Sequence, residues 1–141
     1  MAGKGHGGVF LVNVPIPDPV LAQSPSGTDV GLLICPDGVN MALEVLSITV
    51  AANVLVADTS NVATLTVEFH DDSEDSDADL VDAQNLLSGF TVLEGLTIWR
   101  GCQPMAPGDR LNAEFARTTP DTGGQGYHIV LECRIVERSG D

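Results

Sequence analysis

The chain has 141 residues, a formal net charge of −14 and six basic residues. A chain of this length forms one domain and buries roughly two thirds of its unfolded surface, so it needs neither disulfides nor a metal ion to fold. Because Lys and Arg bind phosphate, their scarcity argues against nucleic acid and against an anionic membrane as partners. No window approaches the ~18 apolar residues of a membrane-spanning helix.

The cysteines are Cys35, Cys102 and Cys133. They are odd in number and form no CxxC pair, so they do not indicate the disulfide framework of a secreted protein. Cys133 falls on the apolar side of an alternating segment, where a thiol behaves as a small apolar side chain. The opening residues have no apolar stretch of signal-peptide length. We therefore expect the chain to be made and folded in a reducing cytoplasm.

Residues 1–27 are predicted to be an extended arm with a proline-rich lead-in. Met1–Gly8 contains four glycines and no large apolar side chain, so it adds little to a core. Val9–Val14 is apolar and β-branched, and can add a strand to a neighbouring subunit. The prolines that follow favour an extended path. The residues of the arm predicted to contact a partner are Lys4, His6, Val9, Phe10 and Val12.

Residues 28–141 are predicted to form the folded domain. Apolar and polar residues alternate with a period of two, which is typical of strands with one buried face. The predicted strands are Val30–Cys35, Asn40–Val56 with a break near Ala51, Ala63–Phe69, Phe90–Arg100, Arg110–Ala116 and His128–Val136. About eight strands with closely spaced turns predict an all-β fold, an antiparallel two-sheet sandwich resembling a jelly roll.

Two segments interrupt this β pattern. Asp79–Ser88 is predicted to be one short helix, because Ser76 or Asp77 can cap it, acidic residues fill its first turn and Gly89 follows its end. Gly101–Asp109 is rich in Gly and Pro and is predicted to be a loop.

The acidic run between His70 and Asp82 suggests a cation site, because Ca²⁺ binds six to eight oxygen atoms. The candidate ligands are Asp71, Asp75, Asp77 and Asp79. The spacing is not that of an EF-hand: counted from Asp71, the sixth residue is Ser76 instead of Gly, and the twelfth is Asp82 instead of Glu. A solvated acidic loop is the favoured interpretation, and a Ca²⁺ site is the alternative.

No catalytic motif accompanies these carboxylates. The histidines are His6, His70 and His128, and none belongs to a recognisable nucleophile–base or metal-binding motif. We therefore predict that the chain is not an enzyme. The aromatic residues are also few. Trp99 is the candidate anchor for an interface between copies, since large aromatic residues often carry such contacts.

The second half combines a loop ending in Pro107-Gly108-Asp109, the alternating strand Arg110–Ala116, a glycine-rich connection Thr118–Gly126 and a final apolar strand. From about Leu93 to Val136 it resembles small β-sandwich virion proteins of tailed bacteriophages, especially capsid decoration (cement) proteins. The resemblance implies a non-enzymatic protein on the outer capsid surface, a trimer at local threefold positions that binds the major capsid protein. It also implies synthesis in the cytoplasm of the host.

Two other functions stay open at this stage. One is a calcium-dependent β-sandwich module that binds a glycan or a cell-surface ligand, as in a head fibre or a receptor-binding domain. The shortage of aromatic residues argues against it, since sugar-binding surfaces usually present aromatic rings. A small hydrolase comes third, because no nucleophile stands beside a base in the sequence.

Overall fold

A computed structural model of the chain describes residues 6–16, 28–37, 41–52, 63–86, 94–117 and 127–137. These residues form eight β-strands: β1 (His6–Pro15), β2 (Thr28–Ile34), β3 (Met41–Ala51), β4 (Ala63–Asp71), β5 (Ser76–Asn85), β6 (Leu96–Met105), β7 (Arg110–Arg117) and β8 (His128–Glu137). Within the described ranges no helix has the length and apolar composition needed to cross a membrane.

The strands form two four-stranded sheets. The first sheet has the order β1-β8-β3-β6, and the second has the order β2-β7-β4-β5. Every pairing is antiparallel. Consecutive strands lie in opposite sheets except for β4 and β5, which form a hairpin in the second sheet. Such crossing between two packed sheets is the jelly-roll arrangement, so the predicted fold class is confirmed.

The core lies between the two sheets and follows the alternation seen in the sequence. In β7 the inward side chains of Leu111, Ala113 and Phe115 are buried, and in β8 Leu131 and Cys133 are fully buried. Burial raises the pKa of the Cys133 thiol to about 11, so the side chain stays protonated and packs as a small apolar group. Both strands therefore bury the apolar side of their alternating sequence.

The predicted helix at Asp79–Ser88 is wrong, because β5 covers its described part. Val81 lies opposite Val67 of β4 and is buried in the core. The acidic residues and the following glycine do suit a helix. However, strand pairing lets β5 satisfy the backbone groups of β4 along its whole length, which an isolated short helix does not do.

The predicted loop at Gly101–Asp109 is shorter than expected. Gly101 to Met105 belongs to β6, and Met105 is buried opposite Leu43. Pro104 lies inside this strand, which is possible because β6 is at the edge of its sheet and needs no donor on its open side.

Strand pairing begins at His6, within the segment predicted to be an arm. β1 runs along β8 at the edge of the first sheet, so residues 6–15 are part of the sandwich. Lys4 lies outside the described residues. The division expected at residue 27 stays a prediction.

Ala83 has a φ of 51°, a left-handed backbone conformation that disfavours any residue with a Cβ. We expect Ala83→Gly to raise the free energy of unfolding by ~1 kcal/mol, because the strain is relieved. Ala78→Gly, at an exposed position of the same strand, should lower it by ~0.5–1 kcal/mol. Urea titration of both variants checks this, and equal destabilisation by the two glycines would contradict it.

Candidate functional site

A buried carboxylate joins the connections at one end of the sandwich. Asp109 is only 5% exposed, and its two side-chain oxygens accept backbone N–H groups of Asp72, at 2.9 Å, and of Ala106, at 2.8 Å. Its own carbonyl accepts the N–H of Cys35 at 2.9 Å. Asp109 thus links the β4–β5 hairpin, the β6–β7 turn and the residue after β2. We call this group the Asp109 junction.

Gly108 is needed beside this junction. Its φ is 93°, which residues with a side chain rarely adopt. A Cβ at this position would lie 2.7 Å from the Asp72 Oδ2 atom. Its N–H also donates to the Cys35 carbonyl at 2.9 Å. The Pro107-Gly108-Asp109 sequence therefore has a structural role, which is to hold three connections together.

The acidic run comprises the end of β4, the tight turn of the β4–β5 hairpin and the first part of β5. Asp71 Oδ1 accepts hydrogen bonds from Ser73 N at 3.0 Å, Ser73 Oγ at 2.8 Å and Glu74 N at 3.2 Å. The Ser73 hydroxyl, followed by these backbone donors, lowers the pKa of Asp71. Its carboxylate is therefore used to close the turn, as Asp side chains commonly do.

The four predicted cation ligands are placed differently from one another. Asp71 closes the turn, and Asp77 Oδ1 lies 2.6 Å from the Nδ1 atom of His70. Asp75 is almost fully exposed, 3.8 Å from His70 Nε2, and Asp79 lies on β5 opposite Glu68. Among the described residues, no three His, Cys, Asp or Glu side chains are grouped so as to hold a metal ion.

The outer face of the second sheet is acidic. Residues directly opposite in an antiparallel pair share a face, and two such pairs are carboxylate pairs, Asp29 with Glu114 and Glu68 with Asp79. Partial burial raises the pKa of Glu68, and the negative charges of Asp77, Asp79, Asp29 and Glu114 raise it further. These five carboxylates form what we call the acidic face.

The outer face of the first sheet carries balanced charges. Arg134 of β8 donates through Nε to Glu44 Oε1 of β3 at 2.9 Å, and Cys102 of β6 donates to Glu44 Oε2 at 3.1 Å. The hydrogen bond to Glu44 raises the pKa of the Cys102 thiol, which therefore stays protonated at neutral pH. Ser47 of β3 lies between two charged residues, with Glu132 of β8 opposite it on one side and Arg100 of β6 on the other. We call this surface the neutral face.

Uncharged side chains fill the rest of the neutral face. Thr49 lies opposite Val130 of β8 and Thr97 of β6, and the two threonine hydroxyls are 3.0 Å apart. Val9 and Leu11 of β1 extend the face to the edge of the sheet and are 56% and 69% exposed.

The partner-contact residues predicted in the arm divide between the two sides of β1. Phe10 and Val12 pack against the core, so their side chains point inward. Val9 points outward, as does Leu11, which is not among the predicted contact residues. His6 begins β1. The outward set could have been found from the alternation alone, by choosing the residues between the inward ones.

Trp99, like Phe10 and Val12, lies on the core side of the first sheet. It lies opposite the fully buried Ile48 and packs against the core at the edge of the first sheet. Its ring covers Gly101, where a Cβ would approach Trp99 Cζ2 to 2.8 Å. Its role as an anchor between copies stays a prediction.

No protein-family model matches the chain, and no curated protein matches it. Among solved structures, the chain is similar to one from infectious bursal disease virus, Gx strain, with a TM-score of 0.44 and 10% identity over 98% of this chain and 34% of that chain. For the Gt strain the TM-score is 0.42 with 12% identity, over 96% of this chain and 30% of that chain. The chain thus spans about a third of the length of these chains.

The Asp109 junction predicts a large loss of stability when its carboxylate is removed. We expect Asp109→Ala to lower the free energy of unfolding by ~2–3 kcal/mol, because two backbone N–H donors lose a charged acceptor. The matched control is Asp37→Ala, an exposed carboxylate two residues after Cys35. Urea titration compares the two, and similar small losses would show that the junction is not important for stability.

The raised pKa of Glu68 predicts a pH-dependent effect of Glu68→Gln. A carboxyl group whose pKa is higher in the folded state than its ordinary value of 4.5 destabilises the fold above that folded-state pKa. The penalty fades as the pH falls through the folded-state pKa, and it is absent below the ordinary value. Glu68→Gln should therefore melt higher than the parent protein at pH 7 and equally at pH 4.

Thermal melting followed by circular dichroism at the two pH values is the measurement. Glu74→Gln is the control, since Glu74 lies in the exposed turn of the β4–β5 hairpin. A Glu68→Gln variant that melts lower than the parent at pH 7 would contradict the acidic face as a source of repulsion.

Proposed function

We propose that the chain is a non-enzymatic structural protein of a virus particle, a capsid decoration protein of a phage head. It binds the outer surface of the shell and reinforces contacts between major capsid subunits. Jelly rolls occur in capsid proteins and also in lectins and cupins, so topology by itself does not select this function. The surface chemistry of the two sheets supports the choice.

The observation that carries the proposal is the difference between the two outer faces. The acidic face concentrates carboxylates around Glu68. The neutral face pairs Glu44 with Arg134 and presents Thr, Val and Leu side chains beside them. A sandwich with two such different faces has one surface suited to protein contact and one suited to solvent.

The neutral face costs less to bury than the acidic face. Glu44 and Arg134 already form an ion pair, so these two charged groups keep a partner when the face is buried on docking. Protein interfaces are depleted of charged residues in their centre, which matches the Thr49, Thr97 and Val130 region. The acidic face repels nucleic acid and other acidic surfaces, which favours an orientation away from the packaged genome.

The calcium-dependent alternative receives less support from the same geometry. Asp71 closes a turn and Asp77 contacts His70, so two of the four candidate ligands already have partners. Trp99 packs toward the core and is not placed as a platform for a sugar ring. The trimer implied by the resemblance, with Trp99 as its anchor, stays a prediction.

Two arginines allow a matched test of which face binds. Arg100 lies on the neutral face opposite Ser47, and Arg110 lies on the outer side of the second sheet opposite His70. The two arginines are exposed. Arg100→Glu and Arg110→Glu change the net charge of the chain equally. We expect Arg100→Glu to weaken co-sedimentation with empty capsids by about 10-fold or more, because it reverses a charge within the contact and makes the neutral face acidic.

Arg110→Glu should bind capsids as the parent protein does, provided that both variants melt at similar temperatures. Loss of binding by Arg110→Glu with retention by Arg100→Glu would assign the contact to the acidic face. Absence of capsid binding by the parent protein would overturn the proposed function itself.

A further inference from the structure

A two-sheet sandwich has four edge strands, here β1 and β6 in the first sheet and β2 and β5 in the second. Each edge presents unpaired backbone N–H and C=O groups, to which a strand of another chain can add. Natural proteins protect such edges with charged residues, prolines, bulges or irregular register. The four edges of this sandwich can be compared on that basis.

Three of the four edges carry such protection. β6 contains Pro104 and Arg100, and its register with β3 shifts twice. β2 carries Asp29 and a register shift against β7. β5 carries Asp77 and Asp79, and its register with β4 also shifts twice. At these edges, charged residues or an irregular hydrogen-bonding pattern disfavour the addition of another strand.

β1 differs from the other three edges. Val9–Val14 contains neither a charged residue nor a proline. Its register with β8 is regular from Val9 onward, and the one shift lies before Val9. Val9 and Leu11 also present large apolar side chains to solvent. Among the described residues, Val9–Val14 is therefore an uncharged and largely apolar strand edge, preceded by a register shift and followed by Pro15. We call it the open edge.

We propose that the open edge pairs with the open edge of a second copy of this chain. The two β1 strands run antiparallel about a twofold axis, and the first sheets of the two copies join into one continuous sheet. The new hydrogen bonds pair backbone N–H and C=O groups that bond to water in a single copy. Val9 and Leu11 of one copy approach the same residues of the other and are partly removed from solvent.

Charge explains why a second copy fits at this edge. With a net charge of −14, two copies repel each other wherever their carboxylates meet. The open edge has no charge of its own, and the β8 residues opposite Leu11 and Val9 are Glu132 and Arg134, which balance each other. Copies that associate at the open edge do not bring their acidic faces together, because the acidic face lies on the second sheet.

A twofold contact is closed, because it uses the same surface of both partners. The proposal therefore gives a dimer, in contrast to the threefold trimer implied by the resemblance. It goes beyond the proposed function, since the dimer forms in solution whether or not the protein binds a capsid. Its test and the capsid-binding test are therefore independent.

The test is the mass of the full chain in solution, measured by sedimentation equilibrium over a range of concentrations. We expect a dimer for the parent protein. Leu11→Lys should raise the dissociation constant of the dimer by about 10-fold or more, because two lysines then meet across the twofold axis. Ile34→Lys is the matched control, since Ile34 is 61% exposed on the edge strand β2, and it should leave the dimer unchanged.

Amide hydrogen exchange of the parent protein provides a second measurement that needs no variant. In a single copy, alternate amides of Val9–Val14 point away from β8 and exchange rapidly; in the dimer both sets are protected. Protection of the outward set that increases with protein concentration supports the pairing. A monomer at every concentration, a trimer, or equal loss of the dimer in Leu11→Lys and Ile34→Lys would overturn it.

Discussion

The second sheet depends on one buried carboxylate. A charged group that is removed from water is costly unless it is hydrogen-bonded, and Asp109 meets this requirement with two backbone N–H donors on different connections. Its main chain adds a hydrogen bond with Cys35. These contacts fix the end of β2, the start of β7 and the β4–β5 hairpin relative to one another. The strands between them then keep the register that places their outward side chains.

That register places like charges next to one another. Asp29 faces Glu114 and Glu68 faces Asp79 across neighbouring strands, and such pairs are destabilising. Partial burial raises the pKa of Glu68, and repulsion from the neighbouring carboxylates raises it further. The apolar core and the Asp109 junction offset this cost. On the first sheet, the carboxylate of Glu44 instead accepts hydrogen bonds from the Arg134 guanidinium and the Cys102 thiol.

The contrast between the faces connects the fold to assembly. The neutral face and the open edge are continuous through Val9 and Leu11, which belong to both. Under the two proposals, contacts with other proteins lie on the first sheet, while the second sheet carries the negative charge. A dimer joined at the open edge would present the neutral faces of its two copies as one surface.

Much of the fold could be predicted from the sequence because the strands obey a period of two. Leu111, Ala113 and Phe115 are buried as their alternation requires, and the same holds for Ile129, Leu131 and Cys133. The prediction of a helix near Asp79 was wrong because capping residues reflect only the local sequence and do not indicate pairing with β4. Pro104 suggested a loop because sequence alone does not show that β6 is an edge strand.

The surface could be predicted only in part. Asp29 and Glu114 are far apart in the sequence, and only the pairing of β2 with β7 shows that they are neighbours. The sequence favoured a solvated loop for the acidic run, with a cation site as the alternative, and it did not show that Asp71 closes the turn of a hairpin. Val9 could be selected from composition. That β1 is an edge strand could be recognised only from the strand order of the sheets.

The orientation of the protein on a capsid tests the central claim most directly. A cryo-electron microscopy reconstruction of empty capsids saturated with the full chain would show which sheet faces the shell. The account predicts density on the outer surface, with Thr49, Thr97 and Val130 toward the capsid and Glu68 toward solvent. Density on the inner surface, or Glu68 and Asp79 buried against the shell, would contradict it.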